Sequence, residues 1–202
     1  TGLRDIERMC LRGVFKPASA PGRTREVEIM ADYIQRLLTY VDIHQLNPFK
    51  VVVNAGNGCA GPVVDRLEPY LPFQLVKIHH EPDASFPHGI PNPLLVENRQ
   101  PTIDAVIQNQ ADIGIAWDGD FDRCFFFDEK GNFIEGYYIV GFLAQALLAK
   151  QPGSAIIYDP RLTWNTIEVV KNHGGRPVQC KSGHAFIKEK MRHEEAIYGG
   201  EM

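Results

Sequence analysis

Beyond residue 48 the chain alternates short apolar runs with stretches of helical periodicity, and this alternation limits the fold more than any other feature. "KVVVN" (50–54) reads as a strand and the segment after Pro62 as a helix; "FQLVKIHH" (73–80) follows as a strand and 99–110 as a helix. "ADIGIAW" (111–117) and "CFFFD" (124–128) are strands flanking an acidic loop, and "GYYIVGFLAQALLAK" (136–150) is helical. "AIIYD" (155–159), "RPVQC" (176–180) and "AIYGG" (196–200) read as strands, with helices over 163–172 and 183–193 between them. Such alternation specifies an α/β fold with largely parallel sheets. Upstream, Val27, Met30, Ile34, Leu37, Leu38 and Val41 recur at helical spacing and stop before Pro48. The first two dozen residues, rich in Arg, Pro and Gly, read as loop. The turn "DEKGN" (128–132) and the following "FIEGYY" form a seam where the strand–helix count restarts. The expected organisation is therefore a linker or remnant of a preceding domain over 1–27, one α/β unit over 28–133 and a second, truncated unit over 134–202.

Bulk properties exclude several classes. The 202 residues are enough for a sizeable core, and the composition (44% hydrophobic, 23% charged) is that of a globular protein. A net charge of −4 argues against a nucleic-acid partner. No apolar run reaches the ~18 residues of a membrane helix, and "TGLRDIERMC" lacks a secretory core. Cys10, Cys59, Cys124 and Cys180 form no CxxC, so neither a zinc site nor a disulfide framework is expected, and unpaired thiols fit a reducing cytoplasm. The chain begins with threonine and stops at "IYGGEM", which reads as a segment of something longer. Its expected partners are then the missing domains of its parent, together with some self-association through an open sheet edge.

"IAWDGDFDRCFFF" (115–127) carries the chemistry. It sets Asp118, Asp120 and Asp122 at alternate positions between apolar runs, and Arg123 follows at once. Alternating carboxylates after a buried strand suit a hard divalent cation such as Mg²⁺, which cancels their mutual repulsion. Gly119 allows a tight turn between two ligands. Arg123, with its planar fork, suits a phosphoryl group beside the metal. An EF-hand fails because Arg123 stands where the loop needs glycine and the flanks are strands. An aspartyl-phosphate enzyme with Asp118 as nucleophile fits less well, since Asp122 and Arg123 follow deep in the chain. A solvated acidic turn is the bland reading, and the apolar flanks weigh against it.

"VVVNAGNGCAG" places Gly56, Gly58 and Gly61 in a GxGxxG spacing after a strand and before a helix, with Glu81 near the end of the next strand. That is the context of a dinucleotide fingerprint, so an NAD-dependent oxidoreductase stands as an alternative; a capped turn that packs helix on strand is the plainer one. His79, His80, Glu81, Asp83 and His88 lie among prolines without helical spacing and read as a polar loop. "IKEKMRHEE" (187–195) reads as a solvated helix face.

Together these motifs resemble the α-D-phosphohexomutases. "DGDFDR" (118–123) resembles the magnesium loop, "NAGNGCAG" (54–61) and "FPHGIPNP" (86–93) resemble second-domain signatures, and "KSGHAFIK" (181–188) and "GGEM" (199–202) resemble third-domain ones. With "YDPRLTWNT" (158–166), the likeness is nearest to bacterial phosphomannomutases that feed GDP-mannose synthesis, with phosphoglucomutases of the same family as an alternative. It implies a phosphohexomutase-like fold of two consecutive α/β units with mostly parallel mixed sheets, forming the second and most of the third of four domains. It further implies a cytoplasmic enzyme acting on a hexose phosphate through a phosphoserine and a hexose bisphosphate. Asp118, Asp120 and Asp122 would hold Mg²⁺ and Arg123 would contact the phosphoryl group. Glu201, His184 and Arg161 would contact the substrate. None of Ser19, Ser85, Ser154 and Ser182 sits in the family's Thr-Ala-Ser-His-Asn-Pro setting, so this polypeptide alone is expected to be inactive.

Overall fold

The computed structural model describes residues 2–13, 15–16 and 18–201. Two α/β units follow one another along the chain. The first is built on a five-stranded sheet of order β2-β1-β3-β4-β5, the second on a three-stranded sheet of order β7-β6-β8.

In the first unit, β1 (Lys50–Asn54) pairs in parallel with β2 (Gln74–Ile78) and β3 (Ile113–Trp117). β4 (Cys124–Phe127) then runs antiparallel to β3, and β5 (Phe133–Ile134) antiparallel to β4. The pleat of β1 explains its unbroken valines. Val52 packs with Ala105 and Val106 of α4 (Gln100–Asn109), while Val51 and Val53 pack with Val64 of α3 (Ala60–Leu67). A strand covered on both faces has no polar side to show, so it reads as a run and not as an alternation. The antiparallel β4–β5 turn-back is the mixed part of the sheet. β5, only two residues long, lies below the length at which periodicity marks a strand.

In the second unit, β6 (Ala155–Tyr158) lies between β7 (Arg176–Gln179) and β8 (Tyr198–Gly200), all parallel. On α5 (Gly136–Lys150), Val140, Gly141, Ala144 and Leu148 are buried, a helical stripe that meets Ile156 and Val170 of α6 (Thr163–Asn172). On α7 (His184–Glu194), Ile187 is buried, and Met191 reaches Gly199 of β8. The rest of that helix is largely solvated, as its charge run implies.

The largest departure from the sequence reading is at the start. Residues Gly2–Arg12 form a helix, α1, on which no residue is buried, where composition suggested loop. The Pro/Gly-rich stretch downstream masked a short helical segment stabilised locally, by Arg4–Glu7 at 2.9 Å and by an Arg8–Asp5 pair one turn along. The next helix, α2 (Met30–Leu38), is shorter than 27–41 because Glu28 accepts the Met30 amide at its start and Thr39 caps its end.

One ion-pair cluster ties β7 to α7. Glu194 accepts from Lys190 at 2.9 Å and from Arg176 at 2.8 Å, and these partners pull its carboxyl down to about 2 from an ordinary 4.5. A depressed acid contributes stability that is complete above its unfolded value and lost as pH falls toward its folded one. The wild type should therefore lose stability between pH 4.5 and about 2 partly through this group. Urea midpoints of Glu194→Gln should fall less steeply over that window, and parallel slopes would show the cluster to be idle.

Candidate active site

The acidic loop leaves β3 at Asp118, whose side chain is almost fully buried. A carboxylate so placed needs donors from its surroundings, and its own loop supplies them. Oδ1 accepts the Arg123 amide at 3.1 Å, and Oδ2 accepts Nε at 2.7 Å, with Nη2 at the same distance. The Asp118 carbonyl also accepts the Phe121 amide at 3.2 Å, closing the turn. Asp120 and Asp122 stay exposed, and one oxygen from each of the three carboxylates can be chosen so that all lie within 4.8 Å of one another. That spacing and all-oxygen donor set suit a hard divalent cation. Among the described residues no other group of three or more acidic, His or Cys side chains meets the same condition.

The turn does not rest on Gly119 as the sequence suggested. The left-handed residue is Phe121, at φ +66°, a conformation disfavoured by about 1–2 kcal/mol for an L-residue. Its ring stacks edge-on against Trp117 at 5.6 Å, which offsets part of that cost.

Asp122, Arg123, Tyr198 and Glu201 all line one cleft of about 230 Å³. Apolar side chains from β4, β5 and α5 complete its lining, among them Phe125, Ile134 and Val140. Burial pushes the Tyr198 hydroxyl up to about 12, so it stays protonated there. Glu201 follows β8 directly, and its Oε1 accepts the Gly183 amide at 2.6 Å. Arg161 Nη2 stands 3.8 Å from the same Oε1. Thus Glu201 and Arg161 are brought together, and the cleft joins Glu201 to the acidic loop. His184 is exposed at the first turn of α7, where no side-chain cap hydrogen bond forms, and the carboxylate of Glu201 takes the amide of the N-cap Gly183.

Asp159, a residue the motifs did not flag, is fully buried at the end of β6. Its Oδ1 accepts the Arg161 amide at 2.7 Å and its Oδ2 accepts Arg161 Nε at 3.0 Å, locking the guanidinium in place. The signal was an acid two residues before an arginine at a strand end. That arginine borders a second, larger hollow of about 560 Å³ with Tyr137, Tyr138 and Trp164.

The amides of the glycine turn itself, residues 56–59, are all committed to protein oxygens and are not held for a pyrophosphate. Gly56 donates to Asn54 Oδ1 at 2.9 Å, Asn57 to the His79 carbonyl at 2.7 Å, Gly58 to Ala55 at 2.8 Å and Cys59 to Gly119 at 3.0 Å. Its spacing answers to packing instead: a Cβ on Gly61 would lie 2.1 Å from the His80 carbonyl oxygen. The dinucleotide reading therefore lacks its physical basis. Likewise His79 and His88 stack at 3.9 Å, and His88 Nδ1 pairs with Asn57 Oδ1 at 2.8 Å, a polar loop tied to the turn.

Two family models match the chain, phosphoglucomutase/phosphomannomutase alpha/beta/alpha domain II over residues 31–131 and domain III over residues 135–202. The chain belongs to the phosphoglucomutase/phosphomannomutase family. It is 68% identical over 170 residues to phosphohexose mutases of Xanthomonas campestris pv. campestris, covering 84% of this chain and 38% of that relative. It is 56% identical over 210 residues to an Escherichia coli phosphomannomutase, covering 100% of this chain and 46% of the relative. A phosphoglucomutase/phosphomannomutase family protein of Burkholderia thailandensis superposes with a TM-score of 0.89 at 32% identity, over 100% of this chain and 43% of that one. The chain thus spans less than half the length of these phosphoglucomutase/phosphomannomutase proteins. No helix among the described residues is long and apolar enough to cross a membrane.

Arg123→Ala removes both side-chain bonds from the buried Asp118 carboxylate and leaves only the backbone one. The variant should be about 1–3 kcal/mol less stable to urea, and an unchanged midpoint would show that the pair does not hold the loop.

Proposed function

We propose that this chain is the metal-holding and sugar-contacting middle of a phosphomannomutase, which interconverts mannose 6-phosphate and mannose 1-phosphate and supplies GDP-mannose synthesis. The observation that carries the proposal is one cleft lined by Asp122, Arg123 and Glu201 together. In this reading Asp118, Asp120 and Asp122 hold Mg²⁺, which would neutralise negative charge on a phosphoryl oxygen beside the loop.

The remaining tasks fall to the chain's own side chains. Arg123 offers the phosphoryl group the part of its guanidinium not committed to Asp118, positioning it by charge and shape. Glu201 accepts hydrogen bonds from sugar hydroxyls; the Gly183 amide fixes one of its oxygens and leaves further lone pairs for the substrate. Arg161, held by Asp159, stands beside it as a cation for the substrate's other end, and His184 contacts the sugar from the start of α7. The nucleophile of the proposed reaction is a phosphoserine, and no serine of these 202 residues has the required sequence setting. This polypeptide on its own should accordingly show no mannose 1-phosphate to 6-phosphate conversion in a coupled assay. Substantial turnover would overturn the assignment of the nucleophile.

Titration calorimetry with Mn²⁺, a stand-in for Mg²⁺, tests the loop directly. One ion per chain should bind, and Asp120→Asn, which keeps shape while deleting one charged ligand, should weaken binding by roughly 10-fold or more. Equal affinity for wild type and variant, or heat evolved only with NAD⁺, would count against the metal reading.

A further inference from the structure

We infer that the glycine turn at residues 56–59 is the clasp that sets the geometry of the acidic loop, with Gly58 and the Cys59 amide as its positioning elements. The inference rests on the metal-loop reading above and assigns its second layer of support, about sixty residues upstream. At Gly58 the backbone of one loop touches the backbone of the other. A Cβ there would lie 2.5 Å from the Gly119 carbonyl oxygen, 2.9 Å from its Cα and 3.0 Å from its carbonyl carbon. None of the three atoms belongs to a side chain that can swing aside. Gly119 sits between Asp118 and Asp120, so anything that displaces its peptide displaces two of the three carboxylates. The contact is also bonded, because the Cys59 amide donates to the Gly119 carbonyl at 3.0 Å.

The clasp is in turn anchored from behind. Asn57, at φ +57° and buried, donates its amide to His79 at 2.7 Å and its side-chain Nδ2 to Glu81 at 2.9 Å. It accepts the Asp83 amide at 2.8 Å on its carbonyl and pairs through Oδ1 with His88. The same 79–91 segment places Phe86 and Pro91 beside Gly119, where an added Cβ would lie 3.4 Å from the Phe86 ring and 3.6 Å from Pro91. The acidic loop is therefore gripped between the glycine turn and the Phe86–Pro91 loop, and two sequence motifs that touch no ligand acquire one joint task. Ligands held by such outer partners bind metal more tightly than ligands free to wander, and losing a partner commonly costs 10- to 100-fold in affinity.

Two variants test this. Gly58→Ala forces the Gly119 peptide to move and should raise the Mn²⁺ dissociation constant roughly 10- to 100-fold. Cys59→Pro, at a residue whose φ of −82° proline can adopt, deletes the donor and sets the ring Cδ against the Gly119 carbonyl, and should raise it at least about fivefold. Gly175→Ala serves as the control for a destabilising glycine substitution away from the loop. Its Cβ would press on Leu148 in the second unit at 2.7 Å, so it should lower the melting temperature and leave Mn²⁺ affinity unchanged. Amide resonances of residues 119–123, recorded without metal, give a readout independent of binding and should shift in Gly58→Ala and Cys59→Pro but not in the control. Folded Gly58→Ala or Cys59→Pro with wild-type Mn²⁺ affinity and unmoved loop resonances would overturn the clasp; should Gly58→Ala not fold, Cys59→Pro decides alone. If the wild type binds no Mn²⁺ while the resonances still shift, the clasp stands and the metal reading falls.

Discussion

Asp118 is buried to 2% exposure at the end of a central strand, and the functional end of the first unit depends on how that charge is satisfied. A lone carboxylate there would be costly enough to unfold a marginal domain. Arg123, five residues on, removes the cost with one backbone and two side-chain donors. That closure forces the chain to reverse within a few residues, places Phe121 in the left-handed region, and lets β4 return antiparallel beside β3. Asp120 and Asp122 are then left in solvent, close to the buried acid. The same interaction that makes the loop foldable also makes it a cluster of three carboxylates with Arg123 as the cation paired to it.

The second unit repeats this logic with different residues. Asp159 follows β6 as Asp118 follows β3; each is a buried acid at the carboxyl end of a strand paired in parallel with a neighbour, and each is satisfied by an arginine of its own loop. Glu201 likewise follows β8. Ligands in open α/β sheets gather at the carboxyl ends of strands, and here three such ends supply carboxylates. The short β4–β5 turn-back and the immediate start of α5 bring Arg123 and Glu201 to one cleft, while Arg161 borders the neighbouring hollow. A longer linker at residue 135 would have removed the constraint that places Arg123 and Glu201 around the same space.

Most elements were legible because their signals are local. The unbroken apolar run of β1 and the helical stretches read over 136–150 and 163–172 each specify structure within a few residues. What sequence reasoning missed depends on contacts between distant parts or on signals diluted by neighbours. Helix α1 was hidden by the Pro/Gly segment averaged with it. Strand β5 is held by two residues of pairing to β4 and has no period of its own. Asp159 looked like an ordinary strand-ending acid, since burial is invisible in one dimension. The left-handed role went to Gly119 because glycine carries the stronger prior, yet Phe121 takes it once Trp117 is there to receive its ring.

The glycine turn shows why a spacing can be right about geometry and silent about chemistry. A GxGxxG pattern after a strand says that another backbone must approach closely, because a side chain would be in the way. It does not say whether that backbone belongs to a ligand or to the protein. The distinction lies in the destinations of the amides: a nucleotide site keeps its N–H groups for the phosphates, whereas here residues 56–59 have each given theirs to a protein oxygen. With those amides committed, the glycines serve close approach to the backbones of His80 and Gly119 and the ring of Pro91. The motif is then best understood as part of the acidic loop's foundation, and the two strongest sequence signals in the chain describe one site.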